Sequence, residues 1–270
     1  MANTAYPGGV KLGLGGHSYI AQLGNDPPAS FEEQCALVAA CLDAGIGLFD
    51  TTYYQERIAL GKVLRQLGRR DEATVTGWNF FKQPGKEDEL VPWTPYEPAH
   101  IDIMLDELQT DRIDLLVIHA EDDLVTFHRE LALVEEWTAA GKVRQVGLGM
   151  AGLRHLNQLP ARHPVTQVLA PYNAFNRNAA AVFARARELG LQTVAMSPFI
   201  RGWKLDEIGE DTTEVAAILL RWVTTQPLVD RVIVSMRKPA WVQANLEAVA
   251  RGPLRPEEAA RLAEWVARVA

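Results

Sequence analysis

An aspartate closes the apolar run GIGLFD at position 50, and a histidine closes IDLLVIH at position 119. A carboxylate and an imidazole at the ends of buried runs are an acid/base pair: one takes a proton that the other returns. Tyr53 and Tyr54 follow the aspartate at once and add phenolic donors. Trp78–Asn79, Glu121, Asn173, Ser197 and Ser235 stand at or just beyond the ends of further apolar runs, and His17 follows the glycine turn GLGG. A buried carboxylate without a partner is costly, so Asp50 is expected in a site and not as filler. His119 takes the same reading. Glu121 to Asp123 read as a solvated charge run, with Glu121 placed to face His119 across one turn. Trp78 reads as packing or as an apolar wall for a substrate.

The elements that must position these residues show in the hydropathy pattern. Short runs rich in Val, Ile and Leu occur at 11–16, 45–50, 72–78, 113–119, 143–149, 165–173, 191–199 and 230–236, and amphipathic stretches separate them, the first at 31–44. Continuous apolar runs are what parallel strands covered on both faces require. Strand and helix alternating eight times predict an α/β fold, a single-domain (β/α)8 TIM barrel over 1–270, with chemistry at the C-terminal ends of the strands. A doubly wound open sheet is the competing arrangement, but GLGGHS matches its glycine-rich turn only in part. The stretch 79–98, rich in Pro, Gly and aromatics, predicts a loop over the barrel mouth.

Composition narrows the function. The chain has 270 residues, 48% hydrophobic and 23% charged, with a formal net charge of −7. Without a basic run, nucleic acid and anionic membrane are poor partners; a small-molecule substrate is expected. No stretch approaches the roughly 20 apolar residues of a membrane span, and the start lacks a signal-peptide pattern, so a cytoplasmic location is expected. Cys35 and Cys41 lie six residues apart in one helical stretch. Roughly 9 Å of rise separates them, which predicts free, buried thiols. No His, Cys and carboxylate set has metal-ligand spacing, and no metal is expected.

Six ordered segments carry a resemblance to the aldo-keto reductase family: VKLGLGG, ALVAACLDAGIGLFDTT, TDRIDLLVIHAED, AAGKVRQVGLG, AMSPFIRG and VIVSMRKPAWVQANLEA. The resemblance implies an oxidoreductase, a (β/α)8 barrel that reduces carbonyls with NADPH through an Asp, Tyr, Lys and His tetrad. Carried over by position, Asp50 matches the aspartate and His119 the histidine. The tyrosine is Tyr54 after a one-residue shortening of the loop, with Tyr53 the other choice. Trp78 stands where the lysine belongs, and Lys82 lies four residues on. The carboxamide clamp of the nicotinamide ring is replaced as well: Gly149 and Met150 for a Ser-Asn pair, Leu169 for a glutamine with Gln167 two residues earlier, and Met196 for a stacking aromatic. The dinucleotide tail site is kept in Ser197, Pro198, Arg201, Gly202, Ser235, Met236, Arg237, Lys238 and Asn245. His17, Tyr53, Trp78, Asn79, Glu121 and Tyr172 are expected around the substrate.

Three functions fit these residues. One is NADPH-linked reduction of a small-molecule carbonyl with an altered ring site. Another is redox-neutral acid/base chemistry by Asp50, His119 and Tyr54 on the same barrel without a cofactor, as in a dehydratase, isomerase or cyclase. The last is a non-catalytic regulatory or binding protein.

Overall fold

The computed structural model describes residues 10–19, 29–86, 90–120, 122–200 and 203–269. Eight parallel strands close into a barrel in chain order: β1 (Leu12–Leu14), β2 (Leu48–Phe49), β3 (Thr74–Trp78), β4 (Ile113–His119), β5 (Val143–Gly149), β6 (Val165–Pro171), β7 (Gln192–Met196) and β8 (Arg231–Val234). Closure comes from β1 against β8, with Leu12 opposite Val232 and Leu14 opposite Val234. The helices between them are α1 (Phe31–Asp43), α2 (Tyr54–Leu67), α3 (His100–Leu108), α4 (Leu124–Ala139), α5 (Leu153–Asn157), α6 (Ala180–Glu188), α7 (Trp203–Ile208) and α8 (Thr212–Thr224); α9 (Pro239–Ala250) and α10 (Pro256–Val269) complete the chain. This is the (β/α)8 barrel.

Local chemistry sets the helix starts. Ser30 Oγ accepts the Glu33 N–H and Glu33 Oε2 accepts the Ser30 N–H, a reciprocal cap that satisfies two orphan donors of α1. Asp123 caps α4 by accepting the Val125 and Thr126 N–H groups, and Asp211 caps α8 by accepting the Glu214 N–H, each without a reciprocal bond. Among the described residues Cys35 and Cys41 are free thiols, Cys35 half-buried and Cys41 buried. Burial pushes the Cys41 thiol up to about 12, so it packs as an inert apolar group.

Two apolar layers follow from the period-2 alternation of the strands. Inward-pointing Leu48, Trp78, Leu115, Val117, Leu169, Val194 and Ile233 fill the barrel. Outward-pointing residues such as Phe49, Val75, Leu116, Ile118 and Val146 pack under the helices. Trp78 is the largest side chain of the inner set and closes it at the C-terminal end of β3, where the sequence pattern places the site.

Candidate active site

The strand ends open into one cavity of about 1510 Å³, which Asp50, Tyr53, Trp78 and His119 line at one end and Arg237, Asn245 and Arg251 at the other. Asp50 follows β2 and is 4% exposed. Its Oδ1 accepts the Trp78 indole N–H at 2.8 Å and its Oδ2 accepts the Thr52 hydroxyl at 3.1 Å. The indole therefore does more than form an apolar wall: it supplies an uncharged donor to the carboxyl. Burial and the neighbouring Glu56 carboxylate push the Asp50 carboxyl up to about 7, while the bond from Trp78 and a charge on His17 pull it down.

Glu56, in the first turn of α2, is fully buried. Its Oε2 accepts the backbone N–H groups of Thr52 and Tyr53 at 2.6 and 3.1 Å, and its Oε1 meets His17 Nδ1 at 2.7 Å. The His17 ring in turn stacks on Tyr53, centroids 5.8 Å apart. Tyr53, Phe80, Trp93 and His119 continue an aromatic wall, with Trp93 stacked on the His119 ring at 4.8 Å. Burial pushes His119 down to about 4, so it is a neutral imidazole at neutral pH. Its Nδ1 is buried with no hydrogen-bond partner among the described residues.

Arg57 holds this wall in place. It is buried on α2 and donates to the Trp78 and Phe80 carbonyls at 2.9 Å each, with Glu107 on its Nε. Tyr96 anchors the far side of the 79–98 loop by donating its hydroxyl to the Val117 carbonyl and its backbone N–H to the Glu130 carboxylate. The described parts of the loop, 79–86 and 90–98, are thus tied down at both ends and carry Phe80 and Trp93 to His119 at the mouth.

Several expected residues fall elsewhere. Tyr54 is buried at the start of α2 and does not line the cavity; Tyr53 does, because α2 begins at residue 54 and turns the next side chain away from the mouth. Tyr172 lies outside the cavity too: β6 ends at Pro171, and the ring packs on Phe183 and Trp222. Asn79 is fully buried and braces the loop, accepting the His119 N–H and donating to the Thr94 carbonyl. Asn173 closes a turn through the N–H groups of Phe175 and Asn176. Met236 is buried, with its N–H on Ser18 Oγ. Lys238 lies over the Trp241 ring outside the cavity lining, and Lys82 is exposed and off the cavity wall. Gln167 donates to Gln145, two residues below Leu169 toward the strand starts. Glu121, Arg201 and Gly202 lie outside the described residues. Ser197, Pro198, Ser235, Arg237 and Asn245 do line the cavity. Glu56, Phe80 and Trp93 were not singled out from the sequence. Glu56 stands six residues after Asp50, but a glutamate opening a helix reads as a cap.

The family model described as "Aldo/keto reductase family" matches residues 11–213 and again 204–267. The chain belongs to the aldo/keto reductase family. Among curated relatives, aldo-keto reductase YhdN of Bacillus subtilis is 26% identical over 217 residues, 75% of this chain and 62% of that protein. Yakc, an aldo-keto reductase of Schizosaccharomyces pombe named with NADP(+), is 25% identical over 65% of this chain and 55% of its own length. The alignments thus span between 55% and 62% of these two relatives. In fold, this family member is similar to the holo form of an aldo-keto reductase from Bacillus halodurans, with a TM-score of 0.76 at 20% identity, covering 94% of this chain and 91% of the other. It is equally similar to an aldo/keto reductase from Klebsiella pneumoniae in complex with NADP and acetate, with a TM-score of 0.75 at 21% identity, covering 94% and 90%. No helix among the described residues is long and apolar enough to cross a membrane, and no metal-ligand cluster occurs among them.

Proposed function

We propose that this aldo/keto reductase family member reduces a small-molecule carbonyl with NADPH as hydride donor. The observation that carries the reading is the single cavity joining the Asp50–His119 corner to Arg237 and Asn245. The tail end fits a dinucleotide. A Cβ on Gly15 would meet Ser235 Oγ at 2.7 Å, so the β1 and β8 ends are packed closely beneath it. Ser197 takes a positive φ of 55° beside the same space, a turn conformation that costs a non-glycine residue something and is typical of shaped ligand loops. Arg237 supplies a cation for a phosphate. The ring end offers Trp78, Met150 and Met196, apolar surfaces that would take a flat ring and would give no amide to its carboxamide.

What NADPH would supply there is a hydride for the carbonyl carbon. The chain's own residues do the rest. The Tyr53, Phe80 and Trp93 wall favours an apolar or aromatic carbonyl over a carboxylate or phosphate. Neutral His119 presents a polar edge without a charge. The Asp50 carboxyl, raised to about 7, is protonated in a substantial fraction of molecules at neutral pH, where an ordinary carboxyl is almost fully ionised.

Isothermal titration with NADPH, followed by absorbance at 340 nm with 4-nitrobenzaldehyde, tests this reading. Binding with turnover is expected. Absence of NADPH binding would favour the redox-neutral reading, which the raised Asp50 and the apolar ring end support. Arg237→Ala should weaken NADPH by about 10-fold or more, the loss of one charge-assisted contact of ~1.5–3 kcal/mol, and leave NADH nearly unchanged. Lys238→Ala should do little, since Lys238 lies off the cavity wall. Equal losses for the two cofactors in Arg237→Ala would contradict the assignment of the phosphate end.

A further inference from the structure

The Asp50 carboxyl is raised, but both of its oxygens face donors and the group is nearly enclosed. Tyr53 is a phenol, which titrates near 10 when free, and no lysine lines the cavity among the described residues. His119 is held neutral. A different group has to hand protons to the substrate.

We propose that His17 is that group, and that Glu56 is the residue that positions it. The geometry is built on both sides of the imidazole. Its side chain is 25% exposed, on the cavity wall, while the Glu56 side chain behind it is fully buried. A Cβ on Gly16 would lie 2.1 Å from Glu56 Oε2 and 2.8 Å from the Asp50 carbonyl, so only glycine lets the chain pass this close to the carboxylate. The turn is then fixed by buried Ser18, whose Oγ holds the Met236 N–H from beyond β8. A carboxylate serving only as a helix cap would need Oε2 alone. Here Oε1 is committed to His17 as well, at 2.7 Å.

The hydrogen bonds also assign the tautomer. With two backbone donors on Oε2, Glu56 is an acceptor toward His17, so Nδ1 carries the proton and Nε2 is left for the cavity. In carbonyl reduction the hydride pair forms the new C–H bond and the C=O π pair passes to oxygen. The donor is the imidazolium form of that ring: Nδ1–H stays on Glu56 while the second proton, on Nε2, moves to that oxygen, giving the alcohol and the neutral Nδ1–H imidazole, which takes a proton back from solvent through the open side of the cavity. This step rests on the reductase reading; the orientation of His17 does not.

Glu56→Gln separates the two. The N–H groups of Thr52 and Tyr53 require the amide oxygen, so the amide NH₂ must face His17. Nδ1 then has to accept, and the ring proton moves to Nε2. Nitrogen-15 spectra of the imidazole, taken at the alkaline end of a titration and assigned by loss of the signals in His17→Gln, should show Nδ1–H in the wild-type chain and Nε2–H in Glu56→Gln. With NADPH and 4-nitrobenzaldehyde, kcat should fall about 10²-fold or more in His17→Gln and in Glu56→Gln, the range of lost general acid–base catalysis, with the NADPH Kd unchanged. Wild-type kcat in folded His17→Gln, or an Nε2–H ring in the wild-type chain, would overturn the proposal. A wild-type chain that binds no NADPH but shows Nδ1–H would sink the reductase reading and leave the orientation of His17 supported.

Discussion

Gly149→Ala is expected to destabilise the barrel by about 3 kcal/mol, the upper part of the range for overpacking a filled core. A Cβ on Gly149 would stand 2.0 Å from Trp78 Cζ3 and 2.3 Å from Cη2. The indole has nowhere cheap to go. Its N–H is bonded to Asp50, Arg57 holds the Trp78 carbonyl, and the ring is 2% exposed within the inner barrel layer. Phenylalanine at 78 lacks the outer indole atoms, so Trp78→Phe combined with Gly149→Ala should be more stable than the two separate costs predict, by about 1 kcal/mol or more. Urea denaturation of the four chains reads this directly. If Gly149→Ala falls within about 0.5 kcal/mol of the wild-type chain, as an ordinary surface change would, Trp78 is loosely held and the packing argument fails.

The clash couples positions 78 and 149. Any side chain at 149 that could hydrogen-bond a carboxamide begins with the Cβ that Trp78 excludes. A serine at 149 therefore needs a smaller residue at 78 first, whereas a change at 78 alone meets only glycine.

The barrel was legible in the sequence because strands covered on both faces must be apolar along their whole length, a pattern that needs no knowledge of tertiary contacts. Asp50, His119 and Arg237 were legible because they stand just where that pattern breaks. Tyr53 and Tyr54 were not separable: a shift of one residue in the start of α2 decides which ring faces the mouth, and helix starts are the least determined feature of a sequence. Tyr172 was misplaced for a similar reason, since β6 stops at Pro171 and the chain turns outward before the ring. Glu56 was hidden by its double use, because the same carboxylate caps α2 and holds His17. Trp93 sits in a stretch without periodicity, where only the anchors at Arg57 and Tyr96 determine which aromatic reaches His119.

Asp50→Asn is expected to cost about 10²-fold or more in turnover and at the same time to stabilise the protein at alkaline pH. The two effects share one cause. The Asp50 carboxyl is raised from 3.8 to about 7 by burial and by Glu56, so the folded chain binds a proton there that the unfolded chain has released. Stability contributed by that proton is fully present below about pH 4, declines as pH rises, and is gone above about 7; the span is worth at most about 4 kcal/mol at ~1.4 kcal/mol per unit. Asparagine carries no such dependence. Its oxygen can accept the Trp78 N–H and its amide can donate to the Thr52 hydroxyl, so the bonds are kept and the charge is not. Thermal unfolding should therefore show Asp50→Asn gaining on the wild-type chain between pH 4 and 7 and holding a gain of about 1–3 kcal/mol at pH 8, less than the full span because neutral bonds replace charge-assisted ones. In kinetics, the wild-type reduction rate with 4-nitrobenzaldehyde should fall above about pH 7, as the Asp50 carboxyl becomes an anion beside the reacting corner, and that part of the fall should vanish in the variant. A variant that keeps wild-type turnover, or one whose stability advantage does not change between pH 4 and 8, would show that Asp50 holds Trp78 in place and takes no part in moving protons.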